Sequence, residues 1–69
     1  MSTATSTWTV TGMTCGHCVA SVTEELQEVD GVQDVAVTLE TGEVVVTSAE
    51  PLTREAVEAA VTEAGYQLA

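Results

Sequence analysis

Phenylalanine is absent from this 69-residue chain, proline occurs once, and Arg54 is the only basic side chain against eleven acidic ones. Each scarcity excludes something. With one Trp8, one Tyr66 and an apolar set made mostly of valine and alanine, the core must be thin. A chain this short buries only about 60% of the surface its unfolded form exposes, so nearly every large apolar residue is needed for structure. A substrate cavity of about 300 Å³ or more does not fit such a core. The lack of cations, at a net charge of −10, argues against binding a phosphate backbone. The same charge keeps a small protein soluble and can steer it toward a basic partner. No apolar run approaches the roughly 20 residues of a spanning helix. The first seven residues have neither a basic nor an apolar segment of the secretory type. The expected location is therefore cytoplasmic, where two cysteines serve as thiols for metal or redox work rather than as a staple.

Alternation is the first pattern present. Residues 7–11 place Trp8 and Val10 on one face and three threonines on the other, which predicts a strand. Gly12 breaks it and residues 13–18 form a loop. The period then becomes helical, with Val19, Val22, Leu26 and Val29 on one face and Glu24, Glu25 and Glu28 on the outer one; Asp30 and Gly31 end it. Residues 33–39 alternate again with Val35, Val37 and Leu39 inward, and a turn at residues 40–43 leads to Val44, Val45 and Val46, a hairpin. After Pro51, Thr53 is an N-cap and Glu55 lies in a first turn. Val57, Ala60, Val61 and Ala64 form the stripe of a second helix, which Gly65 stops before a short edge strand at residues 66–68.

The order β-α-β-β-α-β predicts an α+β, ferredoxin-like sandwich: a four-stranded antiparallel sheet with two helices on one face. One domain spans residues 1–69, with an ordered core of about 7–68 and a flexible start at 1–6. Neither a repeat nor a linker is evident.

Both cysteines fall in Met13-Thr14-Cys15-Gly16-His17-Cys18, at the strand-to-helix junction. Two intervening residues let both sulfurs converge on one ion, and Gly16 permits a tight turn. Amides and dipole at a helix start favour thiolate. A closed zinc site takes four ligands, whereas this loop offers two sulfurs and the chain's sole imidazole. Soft copper(I) accepts two thiolates and leaves the site open to a partner's third. Taken alone, the Cys-x-x-Cys spacing also fits a dithiol redox pair or half of a zinc site.

The segment from Gly12 to Cys18 resembles the metal-binding loop of the heavy-metal-associated domain family, which includes CopZ-type bacterial copper chaperones and the N-terminal modules of copper-transporting P-type ATPases. The likeness continues through Asp30-Gly31-Val32, the second hairpin strand and Ala64-Gly65-Tyr66. It implies Cu(I) held by Cys15 and Cys18, Met13 packed beneath the loop and Tyr66 approaching from the opposite side. Tyr66 matches the bacterial pattern, since eukaryotic-type members carry lysine there. Thr14 stands where zinc- and cadmium-transporting relatives often have aspartate, so that hard ligand is missing.

Against these readings stand plainer ones. His17 is either an occasional third ligand or a polar surface residue. Met13 is better read as packing than as a thioether donor, and Tyr66 either caps the core or supports the site. The acids of the first helix form a solvated face or a docking surface. The function expected is a carrier, not an enzyme, that passes Cu(I) by ligand exchange to a copper-transporting P-type ATPase or a copper-sensing regulator, with a copper-bridged homodimer open to it. The alternatives are a dithiol–disulfide redox protein and a metal-binding module excised from an ATPase. The start at Met1 and the end just past the last strand favour a complete small protein.

Overall fold

The computed structural model describes residues 3–69, in the order β1 (Ala4–Thr11), α1 (Gly16–Gln27), β2 (Val32–Thr38), β3 (Glu43–Ser48), α2 (Arg54–Glu63) and β4 (Gln67–Leu68). The strands form one antiparallel sheet ordered β2-β3-β1-β4. Each helix therefore returns the chain to a non-adjacent lane, the split connection expected from the alternation of period-two and helical segments.

The core follows from those periods. Val10, Val44 and Val46 project from the two central strands to meet Val22 and Leu26 of α1 and Val57, Ala60 and Val61 of α2. Trp8, Val35 and Val37 pack around this cluster half-buried. Leu26 is fully enclosed and the largest of these side chains, so truncating it to alanine costs about 2–5 kcal/mol. The opposite sheet face carries Thr5, Thr7, Thr9 and Thr11 in the open. Ser48 is the one buried polar residue among those described, and its hydroxyl donates to the Glu50 carbonyl at 2.5 Å.

Three details depart from the sequence reading. β1 begins at Ala4 rather than at residue 7, because β3 continues to Ser48 and supplies partners: Ala4 faces Ser48, Thr5 faces Thr47 and Ser6 faces Val46. Small polar residues gave no apolar signal for that extension. Of the start expected to be flexible, residues 4–6 are thus strand, while residues 1 and 2 lie outside the described residues. Leu39 is exposed instead of inward, since β2 ends at Thr38 and the chain is already turning. Glu25 is half-buried and feels Glu63 of the neighbouring helix, so the acidic face of α1 runs into the α1–α2 seam. Burial, followed by Glu28, Glu63 and Glu24, raises its carboxyl above the ordinary value.

The hairpin turn is fixed by contact with the central strand. The Val10 amide donates to the Gly42 carbonyl at 2.8 Å, and Gly42 has φ +74°. A Cβ there would collide with the Val10 carbonyl oxygen, so only glycine lets the turn lie against β1. This contact sets the height at which β1 ends and the loop before α1 begins.

Candidate metal centre

Where β1 stops, Gly12 adopts φ +93°, and a Cβ built on it would lie 3.4 Å from the Tyr66 ring. The loop therefore lies close against Tyr66. Met13 turns its side chain toward the core cluster and is half-buried, as packing requires. Cys15 is the N-cap of α1, extended at φ −157° and ψ 170°, and its side chain makes no capping hydrogen bond. Its carbonyl accepts from the amides of Cys18 at 3.0 Å and Val19 at 3.3 Å.

One helical turn brings the sulfurs together. Cys15 Sγ and Cys18 Sγ are 3.4 Å apart, both thiols are free, and the first is exposed while the second is buried. Thr14 Oγ1 lies 3.8 Å from Cys18 Sγ. The arrangement is asymmetric: one sulfur faces solvent and the other is held against the protein.

Electrostatics sharpen the asymmetry. The Cys18 thiol is lowered to about 6, chiefly by hydrogen bonding from the Tyr66 hydroxyl, then by the Thr14 backbone, the Cys15 side chain and the Cys15 backbone, against an opposing effect of burial. The Tyr66 phenol is raised in turn by its bond to the Cys18 sulfur, by burial and by the charges of Cys18 and Cys15. Helix-start amides were the expected cause, yet the largest influence comes from a residue 48 positions further along the chain.

Of the residues singled out in the sequence, the fold brings Cys15, Cys18 and Tyr66 together and sets Met13 beneath them. His17 is exposed on the first turn of α1, and among the described residues no cluster of three His, Cys, Asp or Glu side chains could hold an ion. The sequence reading missed Thr14 as a contributor. Its only signal was adjacency to Cys15, which does not tell that its hydroxyl and backbone face Cys18.

Two convergent sulfurs, one already favoured as thiolate, suit a soft ion that accepts low coordination. They do not close a tetrahedral zinc site. At this separation the pair can also join as a disulfide, which would remove both donors.

Comparison with known proteins gives a consistent picture. A "COP-associated protein" of Helicobacter felis is 41% identical over 59 residues, covering 86% of this chain and 89% of that protein. A "Mercuric transport protein periplasmic component" of Pseudomonas aeruginosa is also 41% identical, over 70 aligned positions spanning 93% of this chain and 71% of the relative. Among solved structures, a "CopZ metallochaperone" superposes with a TM-score of 0.88 at 31% identity, covering 96% of this chain and all of the other. No helix among the described residues is long and apolar enough to cross a membrane. The heavy-metal-associated domain matches residues 7–67, and with the βαββαβ sheet and the paired thiols this chain belongs to the heavy-metal-associated domain family, a family of metal-binding modules.

Proposed function

We propose that the protein is a copper(I) carrier: Cys15 and Cys18 take one Cu(I) as a bis-thiolate and release it by exchange with a partner's thiolates. The observation that supports this best is the sulfur pair itself, 3.4 Å apart with one member exposed and no third ligand beside it among the described residues. A two-coordinate soft ion is held firmly enough to carry, and it remains open to an incoming third sulfur. Cys18, lowered to about 6, is largely thiolate at neutral pH and anchors the ion. Exposed Cys15 is the sulfur that yields first.

The likeness to copper chaperones supports a soluble, cytoplasmic carrier whose acceptor is the metal-binding domain of a copper-transporting P-type ATPase or a copper-responsive regulator. Exposed Glu24 and Glu28 would steer toward a basic acceptor face. A copper-bridged homodimer is the same chemistry with a second copy as acceptor. A second reading is favoured by the mercuric transport relative, because Hg(II) is equally soft and equally content with two thiolates.

Anaerobic titration of the reduced protein with Cu(I) against a chromophoric chelator, repeated with Hg(II) and Zn(II), tests the proposal. Stoichiometric Cu(I) binding that outcompetes zinc and is lost in both Cys15→Ser and Cys18→Ser is the expected result. Tighter zinc binding, or copper binding indifferent to both substitutions, would overturn it.

A further inference from the structure

Among the described residues, one edge of the sheet is covered only in part, by the two-residue strand β4. Strand alternation sends the amides and carbonyls of the even residues of β1 toward β3, as the 2.8 Å bond from the Val10 amide to Gly42 shows. The odd residues face the β4 lane. There the pairing runs through Thr11 with Gln67 and Val10 with Leu68, and ends at the 2.8 Å bond from the Ala69 amide to the Thr9 carbonyl. Below that rung, Thr5 and Thr7 present two amides and two carbonyls with no strand opposite them among the described residues.

The other edge of the sheet is protected. β2 breaks register between Val32 and Asp34, and it carries an exposed carboxylate at Asp34. β1 has neither device: no bulge, no proline and no charge. Its neutrality extends further, because residues 1–23 contain no Asp, Glu, Lys or Arg, and every acidic side chain and the single arginine fall from Glu24 onward. For two chains of net charge −10, this strand is where main chains can meet without like charges directly opposite.

We infer that the open edge of β1 is a self-association site, at which Thr5 and Thr7 of one copy pair antiparallel with Thr7 and Thr5 of a second copy. The twofold arrangement satisfies all four main-chain groups on each strand in one register and joins the two sheets across β1. Four hydrogen bonds without an apolar anchor make a weak, rapidly exchanging pair, visible at about millimolar concentration. The association strengthens as salt rises, because screening relieves repulsion between the two chains, including Glu55 and Glu58 beside β4. It needs neither cysteine nor metal, which separates it from a copper-bridged pair.

The test uses the full chain carrying Cys15→Ser and Cys18→Ser, free of metal, in sedimentation equilibrium and residue-resolved amide exchange up to about millimolar concentration. The expected result is an average mass that rises with concentration and with salt, together with slower exchange of the Thr5 and Thr7 amides and no change at Ser6 and Trp8. Thr7→Pro removes one donor and abolishes the effect. Thr5→Glu with Thr7→Glu keeps the backbone intact, opposes pairing at low salt and partly recovers at high salt. A mass that stays monomeric throughout, association that leaves Thr5 and Thr7 exchange unchanged, or association that appears only in the native-cysteine protein with copper overturns the inference.

Discussion

The two helices begin in opposite ways. α2 opens on Thr53, whose hydroxyl accepts from the Ala56 amide at 3.1 Å, with Glu55 in the first turn to meet the helix dipole. α1 opens on Cys15, whose side chain caps nothing, and no acid stands in its first turn. A missing cap typically costs about 1 kcal/mol. α2 thus spends its terminal donors on its own stability, while α1 leaves its positive end next to two sulfurs, where it favours thiolate. The contrast teaches that the helix start without a cap is the one that carries the proposed metal ligands. Its deficit is made up by the packing of Val22 and Leu26 further along the same helix.

Making α1 start like α2 should separate the two roles, with the largest effect expected on metal. Cys15→Ser introduces a hydroxyl at a position whose backbone is already extended as a cap requires. Cu(I) affinity should fall by more than the roughly 10–100-fold that losing a supporting group costs, since here a proposed ligand is lost. The metal-free protein should become slightly more stable, by about 0.5–1 kcal/mol in urea unfolding. Metal loss accompanied by destabilisation would mean that α1 was not under-capped.

The next effect concerns Tyr66. Tyr66→Phe keeps the ring against Gly12 but removes the hydroxyl that does most to lower Cys18 to about 6. The Cys18 thiolate absorbance should then titrate well above that value, and Cu(I) affinity at pH 7 should drop by about 10–100-fold. Stability follows by linkage. A thiol that ionises at about 6 when folded and near the ordinary thiol value of 9.0 when unfolded contributes its full stabilisation above the unfolded value; this declines as pH falls and is gone below about 6. The difference in unfolding free energy between the reduced native protein and Tyr66→Phe should therefore be largest near pH 9 and close to nothing at pH 5. A difference independent of pH would assign Tyr66 a packing role only.

These expectations also mark what could be read from the sequence. Strands and helices were legible wherever burial imposed a period: Val22 and Leu26, Val44 and Val46, and Val57 and Val61 all face inward as their spacing requires. Residues 4–6 were not legible, because an Ala-Thr-Ser run carries no periodic apolar signal and is strand only because β3 reaches Ser48. Leu39 misled in the other direction, since alternation does not announce the residue at which a strand ends. At the site, the cysteine pair and its junction were legible from spacing and context. The dominance of Tyr66 over the helix start was not, because it depends on the Gly65 stop returning the chain to the loop, a contact made only in three dimensions. Thr14 likewise gains meaning only from facing Cys18.

The smallest effect is expected at the helix that carries neither cysteine. Thr53→Ala removes the acceptor for the Ala56 amide and should lower stability by about 1 kcal/mol, read as a shift of the urea midpoint with unchanged slope. Thr53 is exposed at the start of α2, whereas Tyr66 follows the opposite end of that helix, so the Cu(I) affinity and the Cys18 titration should both stay at native values. That null result matters as much as the loss, because it places the cap and the metal site in separate accounts of free energy. If Thr53→Ala weakened copper binding, α2 would be setting the position of Tyr66 through Gly65, and the two helix starts would be coupled rather than divided in role.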